Sequence, residues 1–373
     1  MNRRSFLKSA NLAGLALALP STTFAETEKK SAPATSPNPN TILLKDYRPR
    51  SLYKVPITRI ERAKHPIIDM HSHPFAKTDA EITTWLKTMD AVNVEKTIIL
   101  IMATGKEFDD IKRKYSSDRF ELWCGLDFTG YNTPGFGHKA VQELTRCHDA
   151  GARGIGEIHD KGQGLHSGKS TAPGMHPDDP RMDAIWEKAA ELHMPVSLHV
   201  ADPIWMYQPM DNHNDGLMNA YEWRLDNQPN IVKLTGMIEI LERTLARHRN
   251  TTFVACHFAN LDYDLAHLGE VLDRNPNLHA DISARYAETA PIPRFAADFY
   301  AKYSGRLVYG TDMGFDPAMY RVTFRVLESQ DEHFYEIDQF GYHWPLYGLG
   351  LGDEVLRNVY HENAAKLLAA RAA

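Results

Sequence analysis

"IIDMHSHPF", residues 67–75, starts with branched aliphatics and then sets Asp69, His71 and His73 at every second position. Residues two apart in an extended strand share a face. The spacing predicts Asp69, His71 and His73 on one side of a strand, with Ile68, Met70 and Ser72 on the other. Two imidazoles side by side at a strand end can chelate a metal, although H-x-H alone fits two hydrogen-bonded core histidines as well.

Seven more short apolar runs follow: "KTIILIM" (96–102), "ELWCGLDF" (121–128), "ARGIGEIH" (152–159), "PVSLHV" (195–200), "TTFVACHFA" (251–259), "LHADIS" (278–283) and "RLVYGTD" (306–312). Their content of Val, Ile, Leu and Thr suits strands buried on both faces. Amphipathic segments separate them. In "DDPRMDAIWEKAAELHM" (178–194), Asp179 can cap, Pro180 can take the first helical position, and Met182, Ile185, Trp186 and Ala189 line one face. Eight β units alternating with α units predict an α/β fold, a (β/α)8 barrel. A doubly wound open sheet would need a Gly-rich phosphate turn after its first strand, and none follows "IIDM".

In such a barrel the carboxyl ends of the strands build the active-site mouth. His199 lies at the end of the fifth run, His257 in the sixth, Asp312 at the end of the eighth and Glu157 in the fourth. Together with His71 and His73, metal-type donors thus stand at or near the carboxyl ends of five of the eight runs.

With these residues placed, the sequence resembles the amidohydrolase superfamily, and more narrowly its amidohydrolase-2 branch of lactonases and non-oxidative decarboxylases. "RLVYGTDM" (306–313) and the closing "VYHENAAKLL" (359–368) add to the likeness, which spans Pro66 to Leu368. The resemblance implies a divalent cation held by His71, His73, His199 and Asp312. Zn²⁺ suits three imidazoles and a carboxylate, and Mn²⁺, Fe²⁺ and Co²⁺ accept similar donors. His257 is a ligand in binuclear relatives, and in mononuclear ones it polarises the substrate carbonyl or holds the water. Glu157 stands where binuclear relatives carry a carboxylated lysine, so it either bridges two cations or orients a ligand imidazole. One cation is expected rather than two.

The implied chemistry is hydrolysis of a lactone, ester or amide carbonyl in a small substrate, with Asp312 as proton acceptor and His257 stabilising the oxyanion. Decarboxylation of a carboxylic acid is the competing reaction, with Arg285 after the seventh strand clamping the carboxylate. A barrel that only binds metal or ligand is the third reading. Around the site, His159 shares the strand face of Glu157, Asp69 is expected to tie the barrel end together, and Asp281 and Ser283 to support the ligands. Cys256 is expected to be a packed thiol facing away from His257. His213, with Trp205, Tyr207 and Asn214, falls where barrels build substrate pockets. The Gly-rich stretch 160–179 is long enough for a lid, and the aromatic segment 332–351 reads as packing of a C-terminal extension onto the barrel.

Composition narrows the partners. The chain has 373 residues, a formal net charge of −6 and no basic tract beyond its first residues. Nucleic acid and anionic membranes are therefore not expected partners. Residues 1–25 resemble a twin-arginine export signal, with Arg3 and Arg4, the short apolar run "LAGLALAL" (12–19) and a cleavage site after Ala25. This implies passage through the twin-arginine machinery, a periplasmic or secreted protein, and no stable membrane anchor after cleavage. Residues 26–41 read as a disordered linker, and 42–373 as the barrel with an N-terminal lead-in and a C-terminal helical extension. Cys124, Cys147 and Cys256 make no disulfide framework. A homo-oligomer is compatible with all of this.

Overall fold

Eight strands form where the aliphatic runs predict them: β1 (Ile67–Ser72), β2 (Val94–Leu100), β3 (Phe120–Trp123), β4 (Ile155–Asp160), β5 (Val196–Val200), β6 (Phe253–Ala255), β7 (Leu278–Asp281) and β8 (Leu307–Val308). The computed structural model describes residues 38–369. Residues 1–25, expected to be an export signal, and most of 26–41, expected to be a linker, fall outside the described residues. Residues 1–43 and 44–373 are separate units, and all that follows concerns the second. Among the described residues no helix is long and apolar enough to cross a membrane.

Sequential strands pair in parallel from β1 to β3 and from β4 to β8. A bridge between Cys124 and Ile155 joins β3 to β4. The Met70 amide donates to Tyr309 O at 2.9 Å and the Asp312 amide to His71 O at 2.9 Å, which closes β8 onto β1. The result is a (β/α)8 barrel. Its helices form as their caps dictate: Asp179 accepts from the Arg181 amide ahead of Pro180, and Met182, Ile185, Trp186 and Ala189 are buried.

Inside the barrel, Ile68, Met70, Ile98, Leu100, Trp123, Val254 and Val308 pack together. Ile68, Met70, Val254 and Val308 each precede a candidate ligand on their own strand or its exit, so in parallel strands they fill the amino side. Ala364, Leu367 and Leu368 of the closing helix Asn363–Ala369 pack against them. That leaves the carboxyl side for polar groups.

The first strand departs from simple alternation. Ile68 and Met70 fill the interior, while Asp69 accepts from the Thr311 amide at 3.1 Å, from Thr311 Oγ1 at 2.7 Å and from the Tyr320 hydroxyl at 3.4 Å. A register irregularity against β2 between Asp69 and Ser72 breaks the period of two. His71 and His73 consequently reach the centre without Asp69, which ties the barrel end together as expected.

The Gly-rich stretch after β4 folds into an antiparallel hairpin, Gly164–Ser167 against Ser170–Pro173, joined to β4 by pairing of His159 with His166. Gly168 turns it at φ +56°, where a Cβ would meet Met102 O at 2.4 Å. The lead-in stays extended, tied by the Thr58 amide to Asp331 Oδ2 at 2.8 Å.

Candidate metal centre

Three imidazoles have one nitrogen committed to the protein and the other turned inward. His73 Nδ1 lies 3.0 Å from Leu100 O, and His257 Nδ1 2.8 Å from Ser283 O. A carbonyl only accepts, so both rings carry a proton on Nδ1 and turn Nε2 to the centre. His71 Nδ1 sits 2.9 Å from Asp281 Oδ2 and 3.0 Å from Ser283 Oγ. His71 Nε2 is buried without a hydrogen-bond partner.

Two carboxylates face these nitrogens. Asp312 Oδ1 is 3.1 Å from His73 Nε2 and 3.8 Å from His71 Nε2, and Oδ2 is 3.7 Å from His257 Nε2. Glu157 stands among five imidazoles: His159 Nε2 at 2.7 Å, His199 Nδ1 at 2.7 Å, His73 Nε2 at 3.2 Å, His71 Nε2 at 3.5 Å and His257 Nε2 at 3.6 Å. The donors form overlapping groups, His71–His73–Glu157, His71–His257–Asp312 and Glu157–His199–His257. An orphaned inward nitrogen, rings fixed by outer hydrogen bonds, one buried carboxylate and one part-exposed carboxylate fit a divalent cation.

Electrostatics carry the same sense. Burial alone would push the Glu157 carboxyl up, but His159, His71 and His199 hold it well below the usual range. Burial likewise opposes ionisation of Asp312, and His71 and His73 overcome it. His73 is pushed up to about 9, burial being outweighed by Asp312 and Glu157. The carboxylates thus demand positive charge at the spot where the imidazoles point. Burial, together with the nearby Arg285 charge, keeps His257 below its ordinary value and neutral.

The backbone around the mouth is strained. His257, Phe258, Ala259 and Asn260 have φ of 58°, 56°, 53° and 55° in succession, and Ala201 and Asp312 are left-handed as well. Each such non-glycine residue costs on the order of 1 kcal/mol. The turn after β6 is held by the His257 amide to Asp281 Oδ1 at 2.9 Å and by Asn260 Nδ2 to Val200 O at 2.9 Å. Arg285 completes the clamp, with Nη2 2.6 Å from Asn260 Oδ1 and Nη1 2.7 Å from Ala284 O. Its guanidinium also lies 3.6 Å from Asp262 and 3.9 Å from Glu288. Arg285 therefore reaches the neighbourhood of His257 while engaged with the protein itself.

Of the residues singled out in the sequence, the structure gathers His71, His73, Glu157, His199, His257 and Asp312 in one centre, with Asp281 and Ser283 behind it. His159 is in it too, through Glu157. His213 is elsewhere, in a surface cavity with Asp211, Asp215 and His343. Cys256 is buried, its Sγ 3.1 Å from Ser197 Oγ. In the aromatic segment, Tyr342 stacks on Trp344 at 4.1 Å, while Tyr342 Oη donates to Glu288 and Trp344 Nε1 to Ala287 O. Sequence reasoning passed over Asp202 and Lys161. Asp202 Oδ1 is 3.1 Å from His199 Nε2, and Lys161 Nζ is 2.9 Å from Asp202 Oδ2. The only hint was an aspartate three residues past His199.

A family model described as amidohydrolase matches residues 127–369. His71 and His73 lie upstream of the match, so it is the fold that joins them to the rest of the centre. Solved structures share the fold at low identity. A TIM-barrel protein from Bordetella bronchiseptica is 15% identical with a TM-score of 0.52, covering 83% of this chain and 100% of its own. A 2,6-dihydroxybenzoate decarboxylase from Rhizobium is 16% identical with a TM-score of 0.51, covering 82% and 99%. An L-hydantoinase from Arthrobacter aurescens is 15% identical with a TM-score of 0.50, covering 82% and 71%. No curated protein matches the chain.

Proposed function

The chain belongs to the amidohydrolase family, and we propose that it is a divalent-cation-dependent hydrolase acting on a lactone, ester or amide carbonyl of a small substrate. The observation that carries this reading is the contrast between the two central carboxylates. The Glu157 side chain is 2% exposed and enclosed by imidazoles, whereas that of Asp312 is 26% exposed and able to meet water and substrate.

His71, His73 and Asp312 would hold one cation with Glu157, and Glu157, His199 and His257 a second. Two are favoured over the one expected from sequence because neutral His257 presents a lone pair, not a proton, to the centre. Zn²⁺ is the proposed metal, on the chemistry of the donors. A bound divalent cation supplies Lewis acidity, which brings the pKa of water towards about 7. Asp312 takes the proton of the attacking water and returns it to the leaving group. His257 then cannot donate to the oxyanion, and its part is to hold position at Nε2 with Nδ1–H anchored on Ser283 O. Asp281 does the same for His71.

Decarboxylation is supported less well, since Arg285, the candidate carboxylate clamp, is occupied by Asn260 and Ala284 O. The complete donor set argues against a barrel that only binds. The test is metal content with a panel of lactones, esters, amides and carboxylic acids. About two equivalents of Zn²⁺ in the wild type, fewer in Glu157→Gln, and hydrolysis of a carbonyl substrate are expected. Release of carbon dioxide from an acid, with no hydrolysis across the panel, would overturn the reading.

A further inference from the structure

His199 differs from the other imidazoles of the centre in having a carboxylate on each nitrogen. Glu157 Oε1 lies 2.7 Å from Nδ1 and Asp202 Oδ1 lies 3.1 Å from Nε2. His71, His73 and His257 turn Nε2 inward and anchor Nδ1 on a carbonyl, a carboxylate or a serine hydroxyl; His199 is reversed. A neutral imidazole has one N–H and one lone pair. For His199 to offer a lone pair to a cation shared with Glu157, its proton has to stay on Nε2.

Asp202 is built to hold that proton. It is buried, it begins the loop leaving β5 just after left-handed Ala201, and its amide donates to the Tyr207 hydroxyl at 3.3 Å. Lys161, from the loop after β4, lies 3.0 Å from Oδ1 and 2.9 Å from Oδ2. Burial would push the Asp202 carboxyl up, yet Lys161 and His199 hold it well below the usual carboxylate range. Lys161 in turn lies 5.6 Å over the Trp223 ring. The chain Trp223–Lys161–Asp202–His199–Glu157 thus runs from the loops around the mouth into the centre.

We propose that Asp202 is a positioning residue that fixes His199 as the Nε2–H tautomer, so that Nδ1 is presented to a divalent cation, and that Lys161, in contact with both Asp202 oxygens, holds that carboxylate in place. The assignment rests on the divalent-cation reading for its consequence, and the tautomer can be read separately from metal affinity. An outer carboxylate on a ligand histidine affects metal affinity by about 10–100-fold when removed.

The test uses the chain without its export signal, as wild type and as Asp202→Ala, Asp202→Asn, Asp202→Glu and Lys161→Met. Zn²⁺ affinity is read by chelator competition. The His199 tautomer is read by ¹⁵N chemical shifts of the metal-free protein at alkaline pH, where the ring is neutral, and assigned with His199→Gln. Expected are a loss of about 10–100-fold in Zn²⁺ affinity in Asp202→Ala and Asp202→Asn, a smaller loss in Lys161→Met, and recovery in Asp202→Glu. The Nε2–H signal should give way to the Nδ1–H form in the Ala and Asn variants. A merely structural role would lower the melting temperature and leave the tautomer alone. Folded Ala and Asn variants that keep both the Nε2–H form and the wild-type affinity would overturn the proposal. A wild type without Zn²⁺ affinity would sink the hydrolase reading instead, and the tautomer measurement would still decide the role of Asp202.

Discussion

The two ends of this barrel are built on opposite principles. At the amino side, Ile68, Met70, Trp123, Val254 and Val308 interlock with the closing helix in an apolar cluster. At the carboxyl side, within a few residues on the same strands, imidazoles and Glu157 are buried beside part-exposed Asp312, and the backbone turns left-handed at Ala201, His257 and Asp312. Burial stabilises the first end at roughly 25 cal/mol per Å² of apolar surface. The second end carries backbone strain and buried charge, which the first must offset. Stability and function are separated along each strand, so a substitution should affect mainly one or the other.

The largest effect expected is on rate. Asp312→Asn should lower kcat by about 10²–10⁴-fold with a much smaller loss in the thermal unfolding midpoint, since His71 and His73 favour the charged carboxylate in the fold. A large drop in stability would show that the centre also holds the barrel together.

On the other side of the comparison, Trp123→Ala should cost about 3–5 kcal/mol, because the ring is wholly buried in the interior cluster. It should leave kcat per folded molecule unchanged, as judged by denaturant titration beside active-site counting. Gly154→Ala sharpens the same point, since a Cβ there would lie 2.2 Å from Trp123 Cδ2.

Asn260→Ala tests where the two ends couple. Its side chain joins the turn that carries His257 to β5 and to Arg285. Leaving buried donors unpaired should cost about 1–3 kcal/mol and, unlike the previous variants, should lower kcat as well. Loss of stability with intact kcat would mean that the left-handed turn does not need its clamp.

The smallest effect should lie outside both regions. His176 Nδ1 is 2.6 Å from Asp160 Oδ2, and that hydrogen bond raises the His176 pKa against partial burial. A raised folded-state pKa means stability fully present below the unfolded value of about 6.5 and lost as pH rises through the folded value. The melting-temperature gap between wild type and His176→Gln should be widest in mild acid and close towards alkaline pH. A gap independent of pH would leave only packing.

What could be read without a structure followed from short-range physics. Alternating aliphatic runs and capped amphipathic segments specify strands and helices locally, and eight such units imply a barrel. The hairpin after β4 escaped because glycine-rich sequence carries no strand pattern, although its two strands pair with each other and, at His159–His166, with β4. The donor set was legible because parallel strands deliver their carboxyl ends to one face, so chain position alone places His71, His73, Glu157, His199, His257 and Asp312 together. Which way each ring turns was not legible. Asp69 ties the barrel end together as expected, through Thr311, but a register irregularity takes it off the face that alternation gave it with His71 and His73. Arg285 was expected at a ligand and is taken by Asn260. Asp202 gave almost no signal, because its role arises from a lysine 41 residues away. Residue types and strand order determine that a charged centre exists, since they depend on the local chain. Proton placement on each imidazole, the partner of each carboxylate and the division of labour between Glu157 and Asp312 depend on contacts across strands, and only the tertiary structure decides those.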